Sequence, residues 1–78
     1  MRNTMQNIWL SILGIPEHML EKDFFDSGGD SMSAMHLILS IDQEFKIKLN
    51  IIDIFEYCTL ESLTMHVDNE IKKNMSPL

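Results

Sequence analysis

The stretch that decides the fold reads Phe24-Phe25-Asp26-Ser27-Gly28-Gly29-Asp30-Ser31 and runs directly into Met32-Ser33-Ala34-Met35-His36-Leu37-Ile38-Leu39-Ser40-Ile41-Asp42-Gln43-Glu44-Phe45. The second half has helical spacing. At about 100° per residue, Ala34, Leu37, Ile38, Ile41 and Phe45 share one stripe, the expected core face of a helix from about Ser31 to Phe45. Met32, Met35 and Leu39 form a second apolar stripe on roughly the opposite side, and Ser33, His36, Ser40, Gln43 and Glu44 take the polar remainder. One stripe packs a helix on a core; a second needs another partner. Either a further helix covers it, or flexible methionines present a surface to several partners in turn. Ser31 stands at the mouth of this helix, after two glycines that strip side-chain bulk from the approach. Free backbone N–H groups and the helix dipole favour an anion there, so its hydroxyl is well placed to carry a phosphate.

Working outward, Met5, Ile8, Trp9 and Ile12 recur at three- and four-residue steps and predict a first helix capped by Asn3 or Thr4. Gly14 follows it where a C-terminal glycine belongs, and Pro16 prevents continuation. Residues 14–30 then read as a long loop anchored by Met19, Leu20, Phe24 and Phe25. A loop of that length in so small a domain points to function. Residues 46–50 alternate and read as a short extended connector. Ile51 to Tyr57 predicts a short helix with Ile52, Phe55 and Ile51 inward. Thr59 caps a last helix from Leu60 to about Lys73, with Leu60, Leu63, Val67 and Ile71 at core positions. Glu61 near its start and Lys72-Lys73 near its end complement the dipole. The tail from Asn74 to Leu78 should fray. The expectation is an all-α fold: a small four-helix bundle of three main helices plus one short one, in a single domain over 1–78 with an ordered core at about 4–73.

Composition narrows the function classes. A chain of 78 residues is one small domain, burying roughly 60% of its unfolded surface. Its hydrophobic fraction of 45% supports one core, and its charge is too low relative to that for a disordered chain. The net charge of −6 argues against nucleic acid and against anionic membrane surfaces, and no apolar run approaches spanning length. Residues 17–30 alone carry −4, from Glu17, Glu21, Asp23, Asp26 and Asp30 against Lys22. That run is a solvated loop, or else a surface beside Ser31 that steers a basic partner. The lone Cys58 cannot form an internal disulfide, and the N-terminus has no signal-peptide pattern. Both suit a cytoplasmic protein, and Met1 with Pro77-Leu78 suits a discrete one.

Catalytic and metal constellations are missing from the pattern. His18, His36 and His66 lack the i,i+4 pairing of a helical zinc site. A calcium loop starting at Asp26 would lack glycine at its sixth position and would place Leu37 where a bidentate acid is required. Gly29-Asp30-Ser31-Met32-Ser33 is not a hydrolase nucleophile elbow. Cys58, beside apolar residues, reads as a structural thiol. The expectation is a non-catalytic protein with no metal.

Gly28-Gly29-Asp30-Ser31 followed by an amphipathic helix resembles the attachment site of phosphopantetheine carrier proteins, and most closely the peptidyl carrier (thiolation) domains of nonribosomal peptide synthetases. The likeness extends over nearly the whole chain: Ile8-Trp9, Leu13-Gly14, Phe24-Phe25, Phe55 and Thr59-Leu60-Glu61-Ser62-Leu63 fall in the family's order and spacing. Three positions depart from it. Ser27 stands where leucine usually precedes the glycines, Cys58 where proline commonly precedes the threonine, and Lys46 where glycine often follows the second helix.

The resemblance implies a bundle of acyl-carrier-protein type with 4'-phosphopantetheine attached covalently to Ser31 Oγ by a phosphopantetheinyl transferase, from coenzyme A. Gly28 and Gly29 would admit that enzyme and tolerate positive φ. Asp30 would contact the transferase or its metal, or would instead cap the helix. Met32, Met35 and Leu39 would be the docking surface for an adenylating or acyl-loading enzyme and for downstream condensing, tailoring or releasing enzymes, the carrier being a monomer. The pathway alternatives are polyketide, fatty-acyl or D-alanyl transfer; the Gly-Gly pair and the sparse acids on the second helix lean toward the peptide type. The rival from another class is a helical adaptor whose Ser31 is merely a helix cap.

Overall fold

Most helix ends of this chain fall where local chemistry satisfies free backbone groups. In the computed structural model, which describes residues 2–75, four α-helices follow in order: α1 (Arg2–Leu13), α2 (Ser31–Phe45), α3 (Ile51–Glu56) and α4 (Leu60–Met75). No strand occurs among the described residues, so the architecture is the all-α, four-helix one that the spacing predicts. Gly14 ends α1 with φ 64°, and its N–H donates to the Leu10 carbonyl at 2.8 Å. Lys46 closes α2 in the same left-handed region (φ 60°), donating to the Asp42 carbonyl at 2.9 Å. A β-carbon makes that conformation costly, which accounts for the glycine that the resembled family often has there. Asn50 and Asp53 form a reciprocal capping box at the start of α3. At the start of α4, Thr59 Oγ1 accepts from Ser62 N–H at 3.2 Å while Ser62 Oγ accepts from Thr59 N–H at 3.3 Å.

Some boundaries differ from expectation. α1 starts at Arg2, so Asn3 and Thr4 lie within its first turn and cap nothing; full burial of Met5 holds that turn in place. α4 runs on through Met75 where the sequence suggested an end near Lys73, and residues 76–78 of the tail lie outside the described ones. The segment between α1 and α2 is not open coil. It contains a 3-10 turn at Glu17–Met19 and a chain of tight turns from Asp23 to Gly29.

The core gathers Met5 and Trp9 from α1, Phe24 from the loop, Ala34, Leu37, Ile38 and Ile41 from α2, Ile47 from the connector, Ile54 from α3, and Leu60, Leu63 and Val67 from α4. α2 packs on both α1 and α3, and α1 also meets α4. Phe45 and Ile71, expected on core faces, are half-buried against this cluster.

One face assignment is overturned. Ile52 and Phe55 are exposed at 61% and 55%, and the inward stripe of α3 is Ile54 with half-buried Ile51. A six-residue helix carries two apolar stripes of nearly equal strength, and periodicity cannot choose between them. Tertiary packing does, because Ile47 and Leu49 lead the chain into α3 along the core side. Replacing Ile54 with alanine is therefore expected to cost about 2–4 kcal/mol. Ile52→Ala should stay within about 0.5 kcal/mol of wild type. Urea unfolding followed by circular dichroism measures both, and equal losses would return Ile52 to the core.

Candidate functional site

The site is assembled from the loop upward. Phe24 is fully buried, and its ring lies edge-on to Trp9 with centroids 5.3 Å apart. Phe25 meets Phe24 edge-on at 5.3 Å and stacks face to face on Phe55 at 4.8 Å and 8°. These four rings tie the loop to α1 on one side and α3 on the other. Backbone hydrogen bonds then wind the loop toward α2: Ser27 N–H to Asp23 O (3.0 Å), Gly28 N–H to Phe25 O (3.2 Å) and Gly29 N–H to Phe24 O (3.0 Å).

The two glycines serve different needs. Gly28 has φ 99°, a conformation that L side chains rarely adopt. Gly29 has an ordinary φ, but a β-carbon there would lie 2.7 Å from the Phe24 carbonyl oxygen and would strike two carbons of its ring. The sequence reading gave both glycines conformational freedom and an open approach; the structure divides these roles and adds the fit over Phe24.

Asp30 resolves into the helix cap. Its backbone is extended (φ −137°), and its Oδ1 accepts from Ser33 N–H at 2.9 Å. Its own carbonyl takes the Ala34 N–H at 2.9 Å. Hydrogen bonds from the Ser33 N–H and then the Ser33 hydroxyl hold the Asp30 carboxyl below its usual range. Because Asp30 is the cap, Ser31 is the first residue of α2 and its exposed side chain is free of that duty. Met32, Met35 and Leu39, the second stripe of α2, are 71%, 49% and 55% exposed, so the helices pack without covering them. Gly28, Gly29, Asp30 and Ser31 are thus brought together at one helix mouth with an apolar strip running away along α2.

Sequence reasoning missed the residues that hold the loop down. Asp23 was one of several loop acids, and Cys58 a structural thiol. The structure pairs them across 35 positions: Cys58 Sγ donates to Asp23 Oδ2 at 2.7 Å. Asp23 Oδ1 meanwhile accepts from Phe25 N–H at 2.7 Å and Asp26 N–H at 3.3 Å. The thiol bond is the main cause that holds the Asp23 carboxyl below its ordinary value; partial burial opposes it and the two amides assist. The same bond, followed by burial and the Asp23 charge, pushes the Cys58 thiol up. The departure from proline at position 58 was the only signal in the sequence.

Comparison with known proteins gives a consistent family. Residues 3–67 match the family model for the phosphopantetheine attachment site. The chain is 34% identical over 68 residues to the nonribosomal peptide synthetase easA of Emericella nidulans, covering 85% of this chain and 1% of that protein. It is 33% identical over 63 residues to tyrocidine synthase 3 of Brevibacillus parabrevis, covering 81% of this chain and 1% of that protein. The chain therefore spans a very small part of the length of these curated relatives. Among solved structures, it superposes with TM-score 0.80 at 24% identity on a chain of the phosphopantetheine transferase Sfp complex with coenzyme A and a peptidyl carrier protein, covering 87% of this chain and 88% of that one. BlmI, a type-II acyl carrier protein from Streptomyces verticillus involved in bleomycin biosynthesis, gives TM-score 0.74 at 25% identity over 87% of this chain and 82% of that one.

Three shifted groups, the Asp23–Cys58 clasp and the Asp30 cap, set a pH window for stability. Asp23 and Asp30 ionise more readily when folded, so their contribution is present above the unfolded carboxylate value of about 3.9 and is lost as pH falls through the lower folded values. Cys58 ionises less readily when folded, so its contribution is present below the unfolded thiol value of about 8.5 and is lost as pH rises through the folded one. Urea midpoints measured across pH should show a plateau between these limits. Asp23→Asn should shrink the acid fall and Cys58→Ser the alkaline one; unchanged slopes in both would mean the clasp does not form.

Proposed function

The chain belongs to the phosphopantetheine attachment site family, and from that premise we propose that Ser31 Oγ is the atom to which the cofactor is joined. The observation that carries this reading is the division of labour at the mouth of α2. Asp30 satisfies the helix, which leaves the Ser31 hydroxyl exposed beyond two residues without side chains. The adaptor reading needs Ser31 as the cap, and the cap is Asp30.

The residues suit the group they would hold. In the attachment step Ser31 Oγ attacks the pantetheine-bearing phosphorus of coenzyme A, and a new P–O bond forms. The bond to the nucleotide phosphate breaks, the nucleotide leaves with that phosphate, and the hydroxyl proton passes to the transferase. The open backbone at Gly28, where a β-carbon would meet nothing within 4 Å, leaves room for that enzyme beside the hydroxyl. Asp30 shields the first turn of α2 and keeps a carboxylate beside the nucleophile, where the transferase or its metal can meet it. Once attached, the arm supplies a terminal thiol that holds an aminoacyl or acyl group as a thioester.

The chain contributes no catalytic group to the transfers that follow. It raises the effective concentration of a tethered substrate at each partner's active site, and Met32, Met35 and Leu39 form the strip on which those partners dock. The partners are a phosphopantetheinyl transferase, an adenylating or acyl-loading enzyme, and condensing, tailoring or releasing enzymes. The synthetase relatives support nonribosomal peptide or related secondary metabolism as the setting, and we take residues 1–78 to work there as one monomeric, cytoplasmic carrier domain. No helix among the described residues is long and apolar enough to cross a membrane.

Incubation with coenzyme A and a broad-specificity phosphopantetheinyl transferase should add one phosphopantetheine to the wild-type chain and none to Ser31→Ala, as read by intact mass. Addition to the alanine variant would move the site elsewhere. Introducing glutamate at Met32 or Met35 should slow loading by the cognate adenylating enzyme at least several-fold. Because both side chains are exposed, stability should change by no more than about 0.5 kcal/mol. Loss of the helical signal in these variants would make the methionines core residues.

A further inference from the structure

Between Asp23 and Ser31 the hydrogen bonds run almost without a break, and they start from one carboxylate. Asp23 Oδ1 gathers the N–H groups of Phe25 and Asp26 at 2.7 and 3.3 Å, and Oδ2 receives the Cys58 thiol at 2.7 Å. Beside it, Phe24 N–H donates to the Cys58 carbonyl at 2.6 Å. Residues 23–24 are therefore clasped at two points to the link between α3 and α4. From there the turns at Ser27, Gly28 and Gly29 close on Asp23, Phe25 and Phe24, and the next residue, Asp30, caps α2. Hydrogen bonds to an ionised acceptor are the stronger kind, and a thiol, weak toward neutral acceptors, gains most from one. The backbone carbonyl of residue 58 would accept from Phe24 whatever the side chain, so the thiol adds a separate fastening that only a donor can supply.

We propose that Asp23, fastened by the Cys58 thiol, is a positioning residue for the modification of Ser31: its carboxylate sets where the loop turns and so holds Gly28–Ser31 in the arrangement that a transferase binds. This rests on the reading of Ser31 as the attachment site. Without the carboxylate, the loop amides of Phe25 and Asp26 turn to water. Phe24 remains seated by its ring, but the segment between it and α2 samples other paths. Only the fraction of chains in the native arrangement then binds, which raises the apparent dissociation constant in inverse proportion and leaves turnover of the bound complex unchanged.

The test is steady-state phosphopantetheine transfer from coenzyme A by a broad-specificity transferase, with the 78-residue chain as the varied substrate. Asp23→Ala should raise the carrier KM about tenfold, the population change expected for losing hydrogen bonds to a charged group. Its kcat should stay within about twofold of wild type. Glu21→Ala removes the same charge from an exposed neighbour, so only its share of the steering field is lost and KM should rise far less than in Asp23→Ala. Cys58→Ser keeps a donor and should match wild type, whereas Cys58→Ala should raise KM; this pair decides the matter should Asp23→Ala fail to fold. The amide proton of Phe25 should also move in the nuclear magnetic resonance spectrum of the Asp23 variant while those of α4 stay put.

An unchanged KM in folded Asp23→Ala overturns the inference. So does an equal rise in Glu21→Ala, which would make the effect one of charge steering, or indistinguishable behaviour of the two Cys58 variants. A wild type that accepts phosphopantetheine at Ser31 under any of those results leaves the carrier reading intact. A wild type that accepts none overturns that reading and the inference together.

Discussion

Everything at the Ser31 end of the molecule depends on the seating of one ring. Phe24 sits under the backbone of Gly29 and against Trp9, in space so tight that a single added β-carbon above it would collide with both ring and carbonyl. That contact fixes how far the loop stands from the core. Together with the hydrogen bonds gathered by Asp23, it also sets the direction in which the chain leaves Gly29, and so where α2 begins. Burying an aromatic side chain supplies the driving force, and the close packing of interiors makes the position specific. Gly28 then turns the chain through a left-handed conformation, Asp30 closes the helix, and Ser31 is left outside.

The electrostatics follow the same layout. The loop is the most acidic part of the chain, yet its acids divide into two kinds. Asp23 and Asp30 are occupied with backbone and side-chain donors and hold the fold together. Glu17, Glu21 and Asp26 face solvent and provide a field rather than a fastening. A partner approaching Ser31 therefore meets negative charge that it can pair with and negative charge that is already engaged. The same formal charge thus serves both structure and encounter.

Much of this was legible in the sequence because it is local. The bounds of α2, the glycine that ends α1 and the threonine that caps α4 follow from spacing and end chemistry, and the structure reproduces them. The second apolar stripe of α2 was also legible, but not its exposure, which depends on whether another helix lies over it. The inward face of α3 was unreadable because six residues offer two stripes of similar apolarity. The pairing of Asp23 with Cys58 was invisible for a different reason: it joins positions far apart in the chain, and neither residue belongs to a motif. Asp30 lay between these extremes, since an aspartate before a helix suits a cap and a metal-facing ligand equally until its hydrogen bonds are seen.

The chain holds a single tryptophan, and its ring is the one that Phe24 touches edge-on in the core. Trp9 is wholly enclosed, and its indole N–H has no hydrogen-bond partner among the described residues. Its emission is consequently sensitive to the loop that carries Phe24. The molecule comes with an optical reporter at the root of the segment that presents Ser31, so the seating of that segment can be followed in the unlabelled native chain while partners come and go at the surface.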